Sequence, residues 1–185
     1  MWGRNVPLKG LMIMKFRDLT PEDIEVRIQS VKEKGLVLLL YKNARVDMNI
    51  LDETVGPESW QREHYECKGN LFCRVGIYCD TKEGIRAPGW IWKSDCGTES
   101  NTEAQKGEAS DSFKRACFNW GIGRELYTSP FLWVKAEDCR IENGKCFDKF
   151  EVTKIVIENK KITALAIWNV STNKRVIVWQ KPQQN

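Results

Sequence analysis

The chain has 185 residues, a length that suits one domain with a small appendage, and its 42% apolar content with eight tryptophans is enough for a packed core. No apolar run approaches the roughly 18 residues of a membrane span, and no cleavable leader is recognisable, so we expect a cytoplasmic protein. The net charge of +4 divides into +3, −4 and +5 over residues 1–50, 51–110 and 111–185. This distribution excludes a surface that is positively charged throughout, so any nucleic acid must be bound by a local groove.

The first third of the chain is predicted to form two helices around a strand. Residues 19–23 carry a helix start, with Thr20 at the N-cap, Pro21 at the first helical position and acids in the first turn. This helix is predicted to run to about Lys34. The apolar run Leu36–Tyr41 predicts a buried strand, and Arg45–Val55 predicts a second helix that the following Gly-Pro pair ends.

Strands and one long helix are predicted for the remainder. Three strands follow the second helix: Trp60–Lys68, Asn70–Asp80 and Ile85–Lys93. The long helix is predicted over Asn101–Trp120, and Gly121 and Gly123 end it. Beyond it, a short strand at Phe131–Lys135 precedes a β-meander of three strands: Phe150–Glu158, Ile162–Asn169 and Arg175–Gln180.

The Asn101–Trp120 helix combines a buried stripe with cations. The stripe is formed by apolar residues at helical spacing: Ala109, Phe113, Ala116, Cys117 and Trp120. Lys106 and Lys114 follow a neighbouring face, and Arg115 projects from another side, one turn after Asp111. The helix can anchor in a core while it offers cations to a polyanion. An ordinary amphipathic helix with solvated lysines fits the same periodicity.

The segment A-x-K-x-x-A-S-D-S-F-K-R-A-x-x-x-W-G-I-G, residues 104–123, resembles the signature helix of the Rad52 family of single-strand annealing proteins. The resemblance is closest to the short members of bacterial phages and prophages. It extends upstream to Arg45 in the second helix and to Lys82 near the tip of a central hairpin. Phe118 stands where the family pattern has a further arginine, and Gly97–Ser100 replaces basic residues, so the groove is less basic than that pattern.

The resemblance implies an α+β fold, in which a curved antiparallel β-sheet packs on a long helix as a β-β-β-α core. It implies an annealing core over residues 1–130, with the C-terminal β-meander over 131–185 packed on or appended to it. In the family, the lysine and the arginine at the positions of Lys114 and Arg115 hold the phosphate backbone. The resemblance implies Arg45, Lys82 and Lys106 as further DNA contacts.

The resemblance also implies a function: binding of single-stranded DNA and annealing of complementary strands without ATP, during recombination and repair. The active form would be a ring, arc or filament of identical copies in the cytoplasm of a bacterial host. Candidate partners are a phage exonuclease and a host single-strand-binding protein.

No catalytic residue, cofactor or metal is predicted. The seven cysteines form no C-x-x-C pair and His64 is the only histidine, which argues against structural zinc and favours small buried thiols in a reducing compartment. A phosphate-binding loop of the G-x-x-x-x-G-K-[ST] type is absent from the sequence, so Gly121-Ile122-Gly123 is interpreted as a helix stop.

Two other functions remain open from the sequence. A metal-dependent nuclease could use Asp95, Glu99 and Glu103, although a strand-borne acid-x-lysine pair is the usual arrangement and Lys93-x-Asp95 has the reverse order. A protector that covers single strands without annealing them is the second. Aromatic residues at strand spacing could stack on bases or belong to the core: Trp90, Trp92, Trp168 and Trp179.

Overall fold

The computed structural model describes residues 14–79, 88–98 and 104–182, without the side chains of residues 104–106. Within these ranges the chain forms two helices, α1 (Ala44–Val55) and α2 (Ala104–Trp120). It also forms nine strands: β1 (Glu25–Lys32), β2 (Gly35–Tyr41), β3 (Trp60–Cys67), β4 (Asn70–Cys79), β5 (Gly89–Cys96), β6 (Leu132–Lys135), β7 (Phe150–Glu158), β8 (Lys161–Asn169) and β9 (Lys174–Gln180). The predicted α+β class is confirmed. The strands form three antiparallel sheets of three strands each.

The helix predicted from Thr20 to Lys34 is wrong. The start signal is present, since the Asp23 carboxylate accepts a hydrogen bond from the Thr20 backbone N–H at 2.8 Å, but only a single 3₁₀ turn forms, at Pro21–Asp23. Residues 25–32 then form β1, which pairs with β2. The β-branched Val26 and Ile28 alternate with polar residues, and this period of two favours a strand over a helix.

The sheet β1-β2-β6 has the apolar strand at its centre. Leu36, Leu38 and Leu40 of β2 are buried, which confirms the predicted strand at Leu36–Tyr41. The predicted strand Phe131–Lys135 also forms, as β6, and pairs with β2. In the sheet β7-β8-β9 the three strands are consecutive in the chain and antiparallel.

In the third sheet, β3-β4-β5, one face is covered by α2, which contacts β4 and β5. The contact is apolar and fully buried, and it is formed by Cys73, Val75 and Ile77 of β4 and by Phe113, Ala116 and Cys117 of α2. The strand predicted at Ile85–Lys93 is described from Gly89 and continues to Cys96, which moves Asp95 from the predicted junction into the strand itself.

The described chain divides into two compact units that alternate in sequence. One contains residues 14–16 and 48–120, and the other contains 17–47 and 121–182. The division at residue 130 between an annealing core and a C-terminal segment stays a prediction.

In the second unit, burial pulls the pKa of Asp148 upward, but hydrogen bonds from Asn169 and Arg140 hold that pKa below its usual range.

None of the seven cysteines forms a disulfide bond. Burial raises the pKa of the Cys73 thiol to about 11 against the opposing charge of Arg62, and it raises the pKa of Cys139 to about 11 as well. Such thiols stay protonated and unreactive at neutral pH. The prediction of buried thiols is wrong for Cys67, which is exposed at the end of β3. Neither helix in the described ranges is long and apolar enough to cross a membrane.

Candidate nucleic-acid interface

The residue after β5, Gly97, touches the backbone of α2. A Cβ atom on this glycine would lie 2.2 Å from the carbonyl oxygen of Glu108 and 2.9 Å from the backbone nitrogen of Ser112. Gly97 also donates its backbone N–H to the carbonyl oxygen of Leu71 at 2.9 Å, which ties it to the sheet. Because any larger residue would collide with the helix backbone, glycine is required for this approach. The contact fixes the first half of α2 against the sheet.

The acidic side chains in this half of α2 accept hydrogen bonds from neighbouring chain segments. One oxygen of Glu108 accepts the Leu71 N–H at 3.1 Å. One oxygen of Asp111 accepts both the N–H and the hydroxyl of Thr98, each at 3.1 Å. Both carboxylates therefore dock the helix on neighbouring segments of the chain.

The C-terminal end of α2 is held by β4 and β5. The indole N–H of Trp120 donates to the Val75 carbonyl oxygen at 3.0 Å. The Lys93 ammonium donates to the Asn119 carbonyl oxygen at 2.8 Å and lies 4.5 Å from the centre of the Trp120 ring. A cation at this end complements the partial negative charge of the last carbonyl groups. Lys93 is thus a helix-capping residue, and α2 is held to the sheet both around Glu108 and at its C-terminal end.

Arg115 lies in the second half of α2, beside the edge strand β5. Its Nε donates to Oδ1 of Asp95 at 3.3 Å, and its Nη2 lies 3.3 Å from the same oxygen. Asp95 also accepts the Cys96 N–H at 2.9 Å and the Asn119 side-chain amide at 3.4 Å. The side chain of Arg115 remains 42% exposed. The carboxylate therefore orients the guanidinium at the surface without removing it from solvent.

Lys114 is presented quite differently from its neighbour. Its side chain is only 16% exposed, and its ammonium lies 4.0 Å from Oδ1 of Asp111. The resemblance implies a phosphate contact at both Lys114 and Arg115. Arg115 is the more exposed of the two, and its five N–H donors suit bidentate contact with phosphate.

The remaining predicted contacts are less fully described. Arg45 is exposed in the first turn of α1, where its backbone N–H donates to the Asn43 side chain at 2.9 Å, and it belongs to the second compact unit. Lys82 lies outside the described residues. Lys106 lies in α2, but its side chain is not described.

The pairing of Asp95 with Arg115 was not predicted from the sequence. The sequence left Asp95 open as a candidate member of a nuclease centre with Glu99 and Glu103, both of which lie outside the described residues. The alternation of side chains along a strand indicates this position. Asp95 lies two residues after Lys93, so both side chains point to the same face of the sheet, towards the helix. Among the described residues, no group of three His, Cys, Asp or Glu side chains is placed to hold a metal ion.

Comparison with known proteins identifies the family. The model of the family described as "Rad52/22 family double-strand break repair protein" matches residues 14–144. The single-stranded DNA-binding protein DdrA of Deinococcus radiodurans is 31% identical over 106 residues, which are 56% of this chain and 47% of that protein. This chain thus matches about half the length of that relative. No solved structure matches the chain. Since the family model covers well over half of the sequence, the resemblance carried by α2 is confirmed, and the chain belongs to the Rad52/22 family of double-strand break repair proteins.

Proposed function

We propose that this protein binds single-stranded DNA and anneals complementary strands during double-strand break repair, without ATP and without acting as an enzyme. The observation that carries the proposal is that α2, which hydrogen bonds dock on the β3-β4-β5 sheet, carries the two cations Lys114 and Arg115, in a chain of this family. The name of the Deinococcus relative, which describes a single-stranded DNA-binding protein, supports the same ligand.

The mechanism starts from the charge of the ligand. Two single strands repel each other through their phosphates, so a protein that neutralises one backbone lowers the barrier to pairing. Arg115, oriented by Asp95, and Lys114 contact the phosphates and release their condensed counterions. Such contacts carry no sequence information, and the base edges stay available to test an incoming strand. Arg45, Lys82 and Lys106 are further proposed contacts that rest on the resemblance.

Self-assembly completes the proposal, because each copy supplies few cations and a row of copies multiplies weak contacts through effective concentration. The regional charges of +3, −4 and +5 favour contacts between unlike parts of neighbouring copies. Residues 1–130 form the proposed annealing core, and residues 131–185 form a C-terminal β-meander packed on or appended to it. The proposed setting is a bacterial cytoplasm, with a phage exonuclease or host single-strand-binding protein as partner.

We expect the purified protein to run as a species far larger than its 21.5 kDa chain. Size-exclusion chromatography with light scattering, with and without single-stranded DNA, measures this directly. A monomer at micromolar concentration under both conditions would contradict the ring, arc or filament.

Annealing is expected to proceed at full rate in EDTA and without nucleotide, since the sequence has no phosphate-binding loop. The measurement is fluorescence transfer between two labelled complementary strands as they pair. A requirement for ATP or Mg²⁺ would refute the proposed mechanism.

The same reaction separates the alternatives. A protector would slow pairing below the rate of the free strands, whereas an annealing protein raises it. Repeating the reaction with Mg²⁺ and resolving the strands by length would reveal cleavage if Asp95, Glu99 and Glu103 formed a nuclease centre.

A further inference from the structure

The sheet β3-β4-β5 has a second face, opposite α2, which carries a cluster of aromatic side chains. Val75 and Ile77 of β4 point to the helix and are fully buried. Alternate residues point the other way, and the strand registers place five aromatic residues on that side. We call these residues the aromatic face: Tyr65, Phe72, Tyr78, Trp90 and Trp92.

The rings of the aromatic face form two contacting groups on the same side of the sheet. Tyr65 stacks on Phe72 with ring centroids 5.5 Å apart, and Tyr78 meets the edge of Trp90 at 5.6 Å. Trp90 lies 6.1 Å from Trp92 along β5. Tyr65, Tyr78 and Trp90 are 36%, 44% and 40% exposed, so both groups of rings are open to solvent.

A glycine and an arginine hold the Trp92 indole against the sheet. A Cβ atom on Gly76 would lie 2.8 Å from the Trp92 ring, so the absence of a side chain lets the indole lie across β4. The Arg74 guanidinium lies 4.6 Å from the centre of the same ring, and Glu63 pairs with Arg74 at 2.6 Å. The Trp92 indole is therefore held in place in advance, and a base that contacts it costs little side-chain entropy at this position.

We propose that the aromatic face binds single-stranded DNA by stacking the bases on its rings. The proposal rests on the proposed function for its ligand, and it adds a different kind of contact on the opposite side of the sheet from α2. Base stacking on aromatic side chains accepts every base, so it complements phosphate contacts that do not read sequence. The two faces hold different segments of a strand, since one sheet separates them.

The charge on this face favours a nucleic acid over a second copy of the chain. The Glu63 and Arg74 side chains lie among the rings and are 53% and 43% exposed. A dry protein interface would remove this ion pair from water, which is costly. A DNA strand can stack its bases on the rings and leave its phosphates in water beside Arg74, where the pair remains solvated.

The test compares a thymidine oligonucleotide with an abasic strand of the same length and charge. We expect the wild-type protein to bind the thymidine strand about tenfold more tightly, because stacking on one base accounts for a factor of that order. Tyr78→Ala with Trp90→Ala should abolish this preference and leave binding of the abasic strand, and its dependence on salt, unchanged. The readout is fluorescence anisotropy of labelled strands over a range of salt concentrations.

Two further variants make the result specific. Phe147→Ala removes an aromatic side chain that is 84% exposed in the other compact unit, and it should bind both strands like the wild type. Tyr78→Leu with Trp90→Leu keeps apolar packing but removes the aromatic rings, so it should lose the preference while it melts near the wild-type temperature.

Three outcomes would overturn the proposal. The first is a folded alanine or leucine variant that retains the thymidine preference. The second is a variant that shifts to a smaller assembly in light scattering, which would make the face an interface between copies. The third is a wild-type protein that binds both strands equally tightly. If the wild-type protein binds neither strand, the result would instead contradict the proposed function itself.

Discussion

Annealing is expected to fall at least tenfold when Lys114 and Arg115 are both replaced by alanine. The double variant removes two cations from α2 and leaves the Asp95 carboxylate, which orients Arg115 at 3.3 Å, as an uncompensated negative charge. Each lost phosphate contact also reduces the release of counterions, so the slope of log binding constant against log salt should flatten by about 1.4 for two contacts on a single strand. Strand pairing and anisotropy titrations over several salt concentrations measure both effects.

The stability cost of the two substitutions should differ. Arg115 is 42% exposed, and its truncation should change the free energy of unfolding by about 0.5 kcal/mol or less. Lys114 is only 16% exposed and packs along its aliphatic stem, so its truncation should cost about 1 kcal/mol. Thermal melts and light scattering must show that the double variant is folded and assembled before its annealing rate is interpreted.

Two controls separate phosphate contact from a general change of charge. Lys135→Ala removes a cation that is 70% exposed beside Glu137, and it should anneal like the wild type. Arg115→Ala with Asp95→Asn removes both members of the ion pair without changing the net charge. It should still anneal poorly if Arg115 contacts phosphate. A folded Lys114/Arg115 double variant that anneals at the wild-type rate would show that the DNA lies elsewhere.

Gly97→Ala is expected to destabilise the protein by about 3 kcal/mol, the upper end of the cost of overpacking. The added Cβ would meet the Glu108 carbonyl oxygen at 2.2 Å and the Ser112 nitrogen at 2.9 Å, both in the backbone of α2. Backbone atoms cannot rotate away, so the helix must shift from the sheet. Chemical denaturation measures the loss, and weaker DNA binding should accompany it because Arg115 moves with the helix.

A matched substitution is available in β5. Gly89→Ala places its Cβ in open space, with no atom within 4 Å and no left-handed backbone to strain, so stability should change by less than about 1 kcal/mol. If Gly97→Ala unfolds at the same denaturant concentration as Gly89→Ala, the close approach of Gly97 to α2 is wrong.

Local patterns predicted the elements well where one periodicity dominates. The buried stripe of α2, the apolar run that became β2 and the glycines after Trp120 are short-range signals, and each specifies its own segment. The failure at Thr20 has the same origin. The helix start at Thr20 predicts a whole helix, but the residues that follow have strand periodicity. Because they pair with β2, the helix is limited to one turn.

The candidate site was only half predictable. Sequence placed Lys114 and Arg115 together on one helix, which requires nothing beyond helical spacing. It could not rank their exposure, because the burial of Lys114 beside Asp111 depends on how α2 docks. It also could not find the pairing of Asp95 with Arg115, 20 residues apart, which exists only once strand and helix are packed.

By itself, the sequence determined the helix that carries the proposed phosphate contacts, because its buried stripe and its cations depend on spacing within one segment. The resemblance of that segment to a known family indicated the family and the class of the fold. Tertiary structure alone decided which cation reaches the surface, which carboxylate orients it and which face of the β3-β5 sheet is left open with its aromatic rings. Those properties depend on contacts between segments distant in the chain, and such contacts are selected by burial and by backbone approach at positions such as Gly97.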